Sequence, residues 1–247
     1  MACQIPTTLS GIDMSSFKGD GSARLAALHE ARLLVKRLEK PSETISRLVW
    51  DDTFLLLGIK IAYEMGIFDF LGNTPKTSAQ LASSTGTDVT LLRRITRLLG
   101  ANQVVREVKV DTWVATEFSV ALKDPHGVIS GVLYHFDLVE EKCKLPAYLR
   151  STGYRNPTDK EHPPFEQSSG LMFWDWLRAH ADASSNFNSW ISASRVGEVP
   201  WPSFYPVSRL LDGADMSKHS SLMLAVAQER TLSISPRPSQ SRTQRRN

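Results

Sequence analysis

The sequence predicts a mainly α-helical protein with a winged-helix module, a second helical region and one strand near the C-terminus. Three observations support this fold class. Apolar residues recur at helical spacing through most of the 247 residues, and residues 77–122 combine two helix caps with a hairpin pattern. The run SSLMLAV at 220–226 has the composition of a buried strand.

Residues 1–40 are expected to form a helical arm. The stretch SARLAALHEARLLVKRLEK at 22–40 has an amphipathic pattern, with Ser22 as the expected N-cap and Pro41 as the stop. Ser42 is then the expected cap of a second helix that ends at Gly66. The predicted inward side chains of this second helix are Leu48, Phe54, Leu55, Ile59, Ala62 and Tyr63.

Residues 41–125 are predicted to form a winged-helix domain, which the resemblance described below implies is a dimerisation domain. Thr77 is expected to cap a short helix that ends at Gly86, and Asp88 is expected to cap the next helix. The segments VVREV and TWVAT then pair as a small hairpin, which is the wing. The predicted inward side chains of the second helix are Leu91, Leu92, Ile95, Leu98 and Leu99.

Residues 126–219 are predicted to form a helical region with a linker. Its first helix is expected to run as far as Pro146, and the segment after Pro163 is rich in aromatic residues. Aromatic side chains on amphipathic helices pack a protein core or line a pocket for a flat ligand, and the sequence leaves both alternatives open. The candidate substrate-pocket residues are Tyr134, Phe136, Phe165, Met172, Phe173 and Trp176.

Composition excludes several classes of site. Cys3 and Cys143 are far apart and no histidine has a metal-ligand spacing, so neither a disulfide framework nor a metal site is expected. No apolar run is long enough to span a membrane, and a cytoplasmic protein is expected. The net charge is +3, but five arginines and one glutamate after Val226 give that segment +4 and leave −1 for residues 1–225. Arg93, Arg94 and Arg97 are therefore expected on a solvated helix face rather than on nucleic acid.

Several segments resemble the fungal O-methyltransferases of secondary metabolism, the plant-type class I enzymes that use S-adenosylmethionine (SAM). The resemblance covers roughly residues 40–225. Its most specific segments are PAYLRSTGYRNPTD (146–159), FNSWISASR (187–195) and WPSFYPVSRLLDGAD (201–215), supported by LGIKIAYEMGIFDFL (57–71) and TSAQLASSTGTDVTLLRRITRLLGA (77–101). It implies a winged-helix dimer, a small aromatic metabolite as substrate, and methyl transfer from SAM to a hydroxyl group.

The same resemblance implies that residues 220–227 are only the first strand of a Rossmann-like methyltransferase domain. The family places a glycine-rich turn after this strand, whereas this sequence has Ala227, Gln228 and Glu229, and no glycine after Gly213. Residues 228–247 are expected to be a disordered basic tail. A frame-shifted or mis-spliced reading of the gene is the favoured explanation. No catalytic or SAM-binding residue is assigned, and SAM is not expected to bind this chain.

Three functions follow as hypotheses. The first is an O-methyltransferase family protein that is inactive alone. The second is a non-enzymatic dimerisation partner of a full-length methyltransferase, as a homodimer or heterodimer through the winged-helix region. The third and least favoured is a winged-helix nucleic-acid binder.

Overall fold

The structure, a computed structural model, describes residue 17 and residues 20–195. The chain divides into two units, residues 1–195 and 196–247, and all the described residues belong to the first. The predicted strand at 220–227 and the predicted tail at 228–247 lie outside the described residues. In the described part the helices are, in order, α1 (Gly21–Leu38), α2 (Pro41–Ser46), a π-helical segment (Arg47–Asp51), α3 (Asp52–Glu64), α4 (Ile67–Phe70), α5 (Ser78–Thr85), α6 (Val89–Ala101), α7 (Glu117–Ala121), α8 (Ile129–Asp137), α9 (Val139–Ser151), α10 (Pro164–Ser169), α11 (Phe173–Ala179) and α12 (Ala181–Ser194).

A small antiparallel sheet lies between these helices. Its strands are β1 (Lys76–Thr77), β2 (Val105–Lys109) and β3 (Thr112–Ala115), in the order β1-β3-β2. Val105 pairs with Ala115, and the register is irregular between Glu107 and Lys109. The predicted hairpin is therefore confirmed, and β1 adds a two-residue edge strand that the sequence did not indicate.

The caps of α5 and α6 are as predicted. The Thr77 hydroxyl accepts a hydrogen bond from the Gln80 backbone N–H at 3.2 Å, and the Asp88 carboxylate accepts one from the Leu91 N–H at 2.8 Å. Buried side chains on α6 are Leu92, Ile95, Thr96 and Leu99. The expectation that Leu91 points inward was wrong, since 46% of its surface is exposed.

The caps predicted for the first two helices were wrong. Asp20, not Ser22, caps α1, because the Asp20 carboxylate accepts a hydrogen bond from the Ala23 N–H at 2.9 Å. Pro41 lies in the first turn of α2, and Lys40 rather than Ser42 is its N-cap. A proline is well suited to the first turn of a helix, where its missing N–H has no intrahelical partner.

The helix predicted from Ser42 to Gly66 is interrupted by the π-helical segment, which changes the faces of its side chains. Ile59 and Ala62 are buried as expected. Leu48 and Phe54 are exposed by 51% and 48%, so their predicted inward orientation was wrong. The extra residue in a π-helical turn shifts every later side chain around the helix, and sequence spacing alone does not reveal it.

Pro146 does not end a helix. The chain instead breaks at Leu138, between α8 and α9, and Pro146 lies inside α9. A proline removes one backbone hydrogen bond from a helix interior. None of the α9 residues is buried, so water can satisfy the carbonyl group that loses its partner.

Two hydrophobic clusters stabilise the described residues. The larger one surrounds Phe68, Leu92 and Trp113. It brings together helices α3, α4, α5 and α6, the sheet and the start of α8. A Cβ atom built on Gly100 would lie 2.5 Å from Cζ3 of Trp113, so glycine is needed for this close approach. The smaller cluster consists of Leu138, Trp176, Leu177 and Ala183, with aromatic side chains packed around them.

Candidate functional site

Helices α8, α10, α11 and α12 bring aromatic side chains together around the smaller cluster, which we call the aromatic cluster. Phe165 meets Phe173 and Trp176 edge-on, at ring-centroid distances of 5.3 and 5.7 Å. Phe187 contacts Tyr134 at 5.2 Å and Phe173 at 5.9 Å. Edge-to-face contacts of this kind favour one fixed arrangement of the rings.

Four of the six predicted pocket residues lie in this cluster. Tyr134, Phe165 and Phe173 pack partly buried against Trp176, which is 7% exposed. Met172 is 40% exposed at the start of α11, on the rim. Phe136 is not a member of the cluster, and its ring lies instead 5.7 Å from the Lys60 ammonium group and edge-on to His135.

Phe187 is a central member of the cluster that the candidate list omitted. It lies on α12 four residues after the buried Ala183. Trp190 follows at the next turn, where a Cβ atom on Gly131 would come within 2.5 Å of the Trp190 ring. The spacing of residues 183, 187 and 190 is that of one helix face, and this signal was available in the sequence.

A hydrogen bond between two polar side chains joins the helices that carry Tyr134 and Phe187. The side-chain amide of Asn186 donates a hydrogen bond to the Asp137 carboxylate at 2.9 Å, which joins α12 to α8. Burial of the ring, and the charge of Asp137, raise the pKa of the Tyr134 phenol. The phenol is therefore protonated at neutral pH and able to donate a hydrogen bond.

An open cleft of about 190 Å³ adjoins the aromatic cluster between α11 and α12. Its apolar wall comes from Trp174, Leu177 and Phe187, and its polar rim from Arg178, Ser184 and Asn188. Trp174 is 62% exposed although its ring contacts Phe173 and Phe187. Exposed aromatic surface beside hydrogen-bonding groups suits a flat organic ligand.

The histidines near this region have ordinary partners. His180 stacks on Trp176 at 4.4 Å, and its Nδ1 lies 2.7 Å from the Trp176 carbonyl oxygen. Burial, and the nearby Lys142 charge, lower the pKa of His135. Across residue 17 and residues 20–195, no three His, Cys, Asp or Glu side chains are grouped so that they could hold a metal ion.

Arg93 forms an ion pair with Asp111 within the protein. The Trp113 indole donates a hydrogen bond to the Ser78 hydroxyl at 3.0 Å, and that hydroxyl donates to the Asp111 carboxylate at 2.6 Å. Arg93 donates to the same carboxylate. These bonds tie α5 and α6 to the hairpin, while Arg94 and Arg97 remain exposed.

Among the described helices, none is both long enough and apolar enough to cross a lipid bilayer.

The O-methyltransferase dimerisation domain matches residues 58–123. This range starts within α3 and ends just after α7, so it contains the sheet and every buried member of the larger hydrophobic cluster except Ile129. The chain is 32% identical over 192 residues to methyltransferase cfoC of Aspergillus candidus, an alignment covering 76% of this chain and 48% of cfoC. It is 29% identical over 215 residues to O-methyltransferase mfmE of Annulohypoxylon moriforme, covering 84% of this chain and 53% of mfmE.

Solved structures share this fold. LepI in complex with SAM aligns with a TM-score of 0.67 and 18% identity, over 93% of this chain and 60% of LepI. OxaC in complex with SAH and oxaline aligns with a TM-score of 0.61 and 17% identity, over 85% of this chain and 52% of OxaC.

The described residues do not fit SAM. A nucleotide cradle of this type needs a strand of a parallel sheet, a glycine-rich turn and a helix. The three described strands are antiparallel, and the four described glycines with positive φ, Gly66, Gly86, Gly153 and Gly170, all follow helices. Every buried polar side-chain atom of the described residues already has a hydrogen-bond partner.

The chain spans about half the length of the curated relatives that it matches. Its match to the dimerisation domain and its alignments with fungal enzymes agree over residues 58–123. The chain therefore carries an O-methyltransferase dimerisation domain and is similar over most of its length to fungal O-methyltransferases.

Proposed function

We propose that this chain is the dimerisation and acceptor-binding part of a SAM-dependent O-methyltransferase. The proposed reaction transfers a methyl group to a hydroxyl of an aromatic or polyketide metabolite. The observation that carries this proposal is the aromatic cluster with its adjoining cleft, which lies outside the matched dimerisation domain. The proposed reaction is inferred from the similarity to O-methyltransferases. The proposed chemical class of the acceptor is inferred from the aromatic walls of the cleft.

The proposed division of labour follows the chain. Residues 1–40 form the arm and residues 41–125 a winged-helix dimerisation domain, in which α5 and α6 are the two helices and β2-β3 the wing. Residues 126–219 form the acceptor side. Tyr134, Phe165, Phe173 and Trp176 would line that side with Phe187, and Met172 would lie at its entrance. Phe136 has no contact that supports a role in the pocket.

The SAM site is proposed to lie outside the described residues. A polypeptide of residues 1–247 alone is predicted neither to bind SAM nor to transfer a methyl group. The support is the sequence after Gly213, which has no glycine, together with the antiparallel arrangement of the described strands. The strand and tail proposed for 220–227 and 228–247 stay predictions.

Ligand titrations of the purified 247-residue polypeptide test both parts of the proposal. Quenching of tryptophan fluorescence by a panel of flat phenols should be saturable and should be weakened at least five-fold by Phe187→Ala. The control is Phe118→Ala, which changes a phenylalanine that is 47% exposed on α7. Equal affinities of both variants, or no saturable quenching, would contradict acceptor binding. Calorimetric heat on addition of SAM, or labelled product from labelled SAM, would contradict the predicted inactivity.

A non-enzymatic dimerisation partner is the second candidate. It is favoured by the combination of a matched dimerisation domain with described residues that do not fit SAM. Co-expression with a tagged full-length O-methyltransferase should then yield a heterodimer with a changed preference among phenols. Recovery of the tagged enzyme only as a homodimer would contradict this role.

Nucleic-acid binding is not proposed. The ion pair with Asp111 offsets the charge of Arg93, one of the three candidate cations, and residues 1–225 carry a net charge of −1. The cytoplasmic location stays a prediction.

A further inference from the structure

The open cleft between α11 and α12 has a positively charged rim. Of the described residues that line the cleft, Arg178 is the only charged one. Trp174, Leu177 and Phe187 supply the apolar wall, and the cleft measures about 190 Å³. Sites for drug-sized ligands usually measure roughly 300–1,000 Å³, so this cleft suits a smaller ligand with one aromatic ring. An arginine beside the aromatic wall favours a ring that also carries negative charge.

Helical spacing places the charged rim beside the aromatic wall. Trp174 and Arg178 are four residues apart on α11, so they are neighbours on one face of that helix. Ser184 and Asn188 have the same spacing on α12, and both line the cleft. The Trp174 ring contacts the Phe187 ring across the two helices at a centroid distance of 6.1 Å. A ring held against this wall would therefore have polar side chains of both helices next to it.

The polar side chains of the rim have hydrogen-bonding capacity that the described residues do not use. Arg178 donates from Nη1 to the Asp175 carboxylate, an ion pair whose side chains are exposed by 75% and 53%. None of the hydrogen bonds among the described residues uses Nε or Nη2 of Arg178, the Ser184 hydroxyl or the Asn188 amide. The edge of a guanidinium group formed by Nε and one Nη can bind both oxygens of a carboxylate. A hydroxyl and an amide can each donate a further hydrogen bond to such an anion.

We propose that the cleft binds an aromatic carboxylic acid, with Arg178 as the residue that selects the acid. The ring of the ligand packs on Trp174 and Phe187, and its carboxylate accepts hydrogen bonds from Nε and Nη2 of Arg178. Asp175 stays on Nη1, so the ligand joins the existing ion pair and does not displace it. This inference rests on the acceptor binding of the proposed function. It narrows the acceptor to a phenol that also carries a carboxylate.

The test compares two ligands that differ only in charge, protocatechuate and its methyl ester, in ligand-observed NMR titrations of the full chain. The parent protein should bind the acid about five-fold more tightly than the ester, the upper range for an exposed ion pair. Arg178→Gln should abolish this preference. Arg94→Gln is the matched control, because it removes the same charge from an exposed position on α6, and it should keep the preference. Near-ultraviolet circular dichroism verifies that both variants retain their aromatic packing.

A second variant should change the preference in the opposite direction. Asp175→Asn removes the negative charge beside Arg178, so the preference for the acid over the ester should rise, and added salt should reduce it. Equal binding of acid and ester by the parent would overturn the acid as ligand, and so would an equal loss of preference in Arg178→Gln and Arg94→Gln. Saturable binding of the ester in either case would leave the proposed acceptor binding standing. No saturable binding of either ligand would contradict both proposals.

Discussion

Arg93 and Asp111 form a two-point ion pair, with both nitrogen-to-oxygen distances at 3.2 Å. Asp111 lies in the turn of the hairpin with φ of 55°, a left-handed conformation that aspartate and asparagine tolerate better than most residues. The pair therefore locks α6 to the hairpin through the turn itself. Hydrogen bonds from Arg93, and then from Ser78, lower the pKa of the Asp111 carboxyl.

This lowered pKa predicts a pH dependence of stability. The contribution of Asp111 is fully present above the ordinary aspartate pKa of about 3.9 and is lost as the pH falls through the lower value of the folded protein. Asp111→Asn keeps the turn conformation but removes the charge. We expect the free energy of unfolding of the variant to decline less steeply than that of the parent between neutral pH and acid. Urea unfolding across this range is the measurement, and parallel profiles would contradict it.

Gly100→Ala should destabilise the protein by about 1–2 kcal/mol. An alanine normally favours a helix interior over glycine by about 1 kcal/mol, but here its methyl group would overlap the Trp113 ring. Gly21→Ala is the control, because a Cβ atom there meets no atom within 4 Å. Thermal unfolding of both variants checks the difference. A Gly100→Ala protein as stable as the Gly21→Ala protein would show that the ring moves aside at little cost.

Phe187→Ala should lower the free energy of unfolding by about 2 kcal/mol or more. The phenylalanine ring contacts Tyr134, Phe173 and Trp174, and its loss leaves a gap that these rings cannot close without abandoning their mutual contacts. Near-ultraviolet circular dichroism should lose intensity at the same time, since fixed aromatic packing produces that signal. Phe118→Ala should change neither quantity.

Asp88→Ala should cost about 1 kcal/mol, since it removes the cap of α6. Asp88→Asn keeps a side-chain oxygen for the Leu91 N–H and should cost much less. Chemical denaturation of the pair separates the hydrogen bond from the charge. A large loss in both variants would assign the effect to the negative charge at the helix start.

Local signals allowed the central part of the fold to be predicted. Thr77 and Asp88 are strong caps, and the hairpin is bounded by polar turn residues, so these elements depend on few distant contacts. Phe54 of α3 was predicted to point inward and is exposed, whereas Ile59 and Ala62 of the same helix are buried as predicted. Helical spacing alone does not distinguish an apolar face that packs within the chain from one that stays exposed.

The candidate site was predicted in composition but not in arrangement. Tyr134 and Phe136 are two residues apart, so they lie on different sides of α8, and only Tyr134 meets Phe187. Pro146 was taken as a stop because a proline usually ends a helix, yet exposed α9 accommodates it. Which rings meet depends on how four helices pack, and that information lies in contacts between residues distant in sequence.

Helix α8 connects the two hydrophobic clusters. Ile129 at its start is fully buried in the larger cluster, and Leu138, which follows its last residue, is buried in the aromatic cluster. Because both ends are held in close-packed surroundings, α8 acts as a rigid strut, and neither cluster can absorb its movement alone. A ligand that displaced the rings around Leu138 would push on Ile129, so occupancy of the aromatic end would be felt mechanically at the dimerisation end.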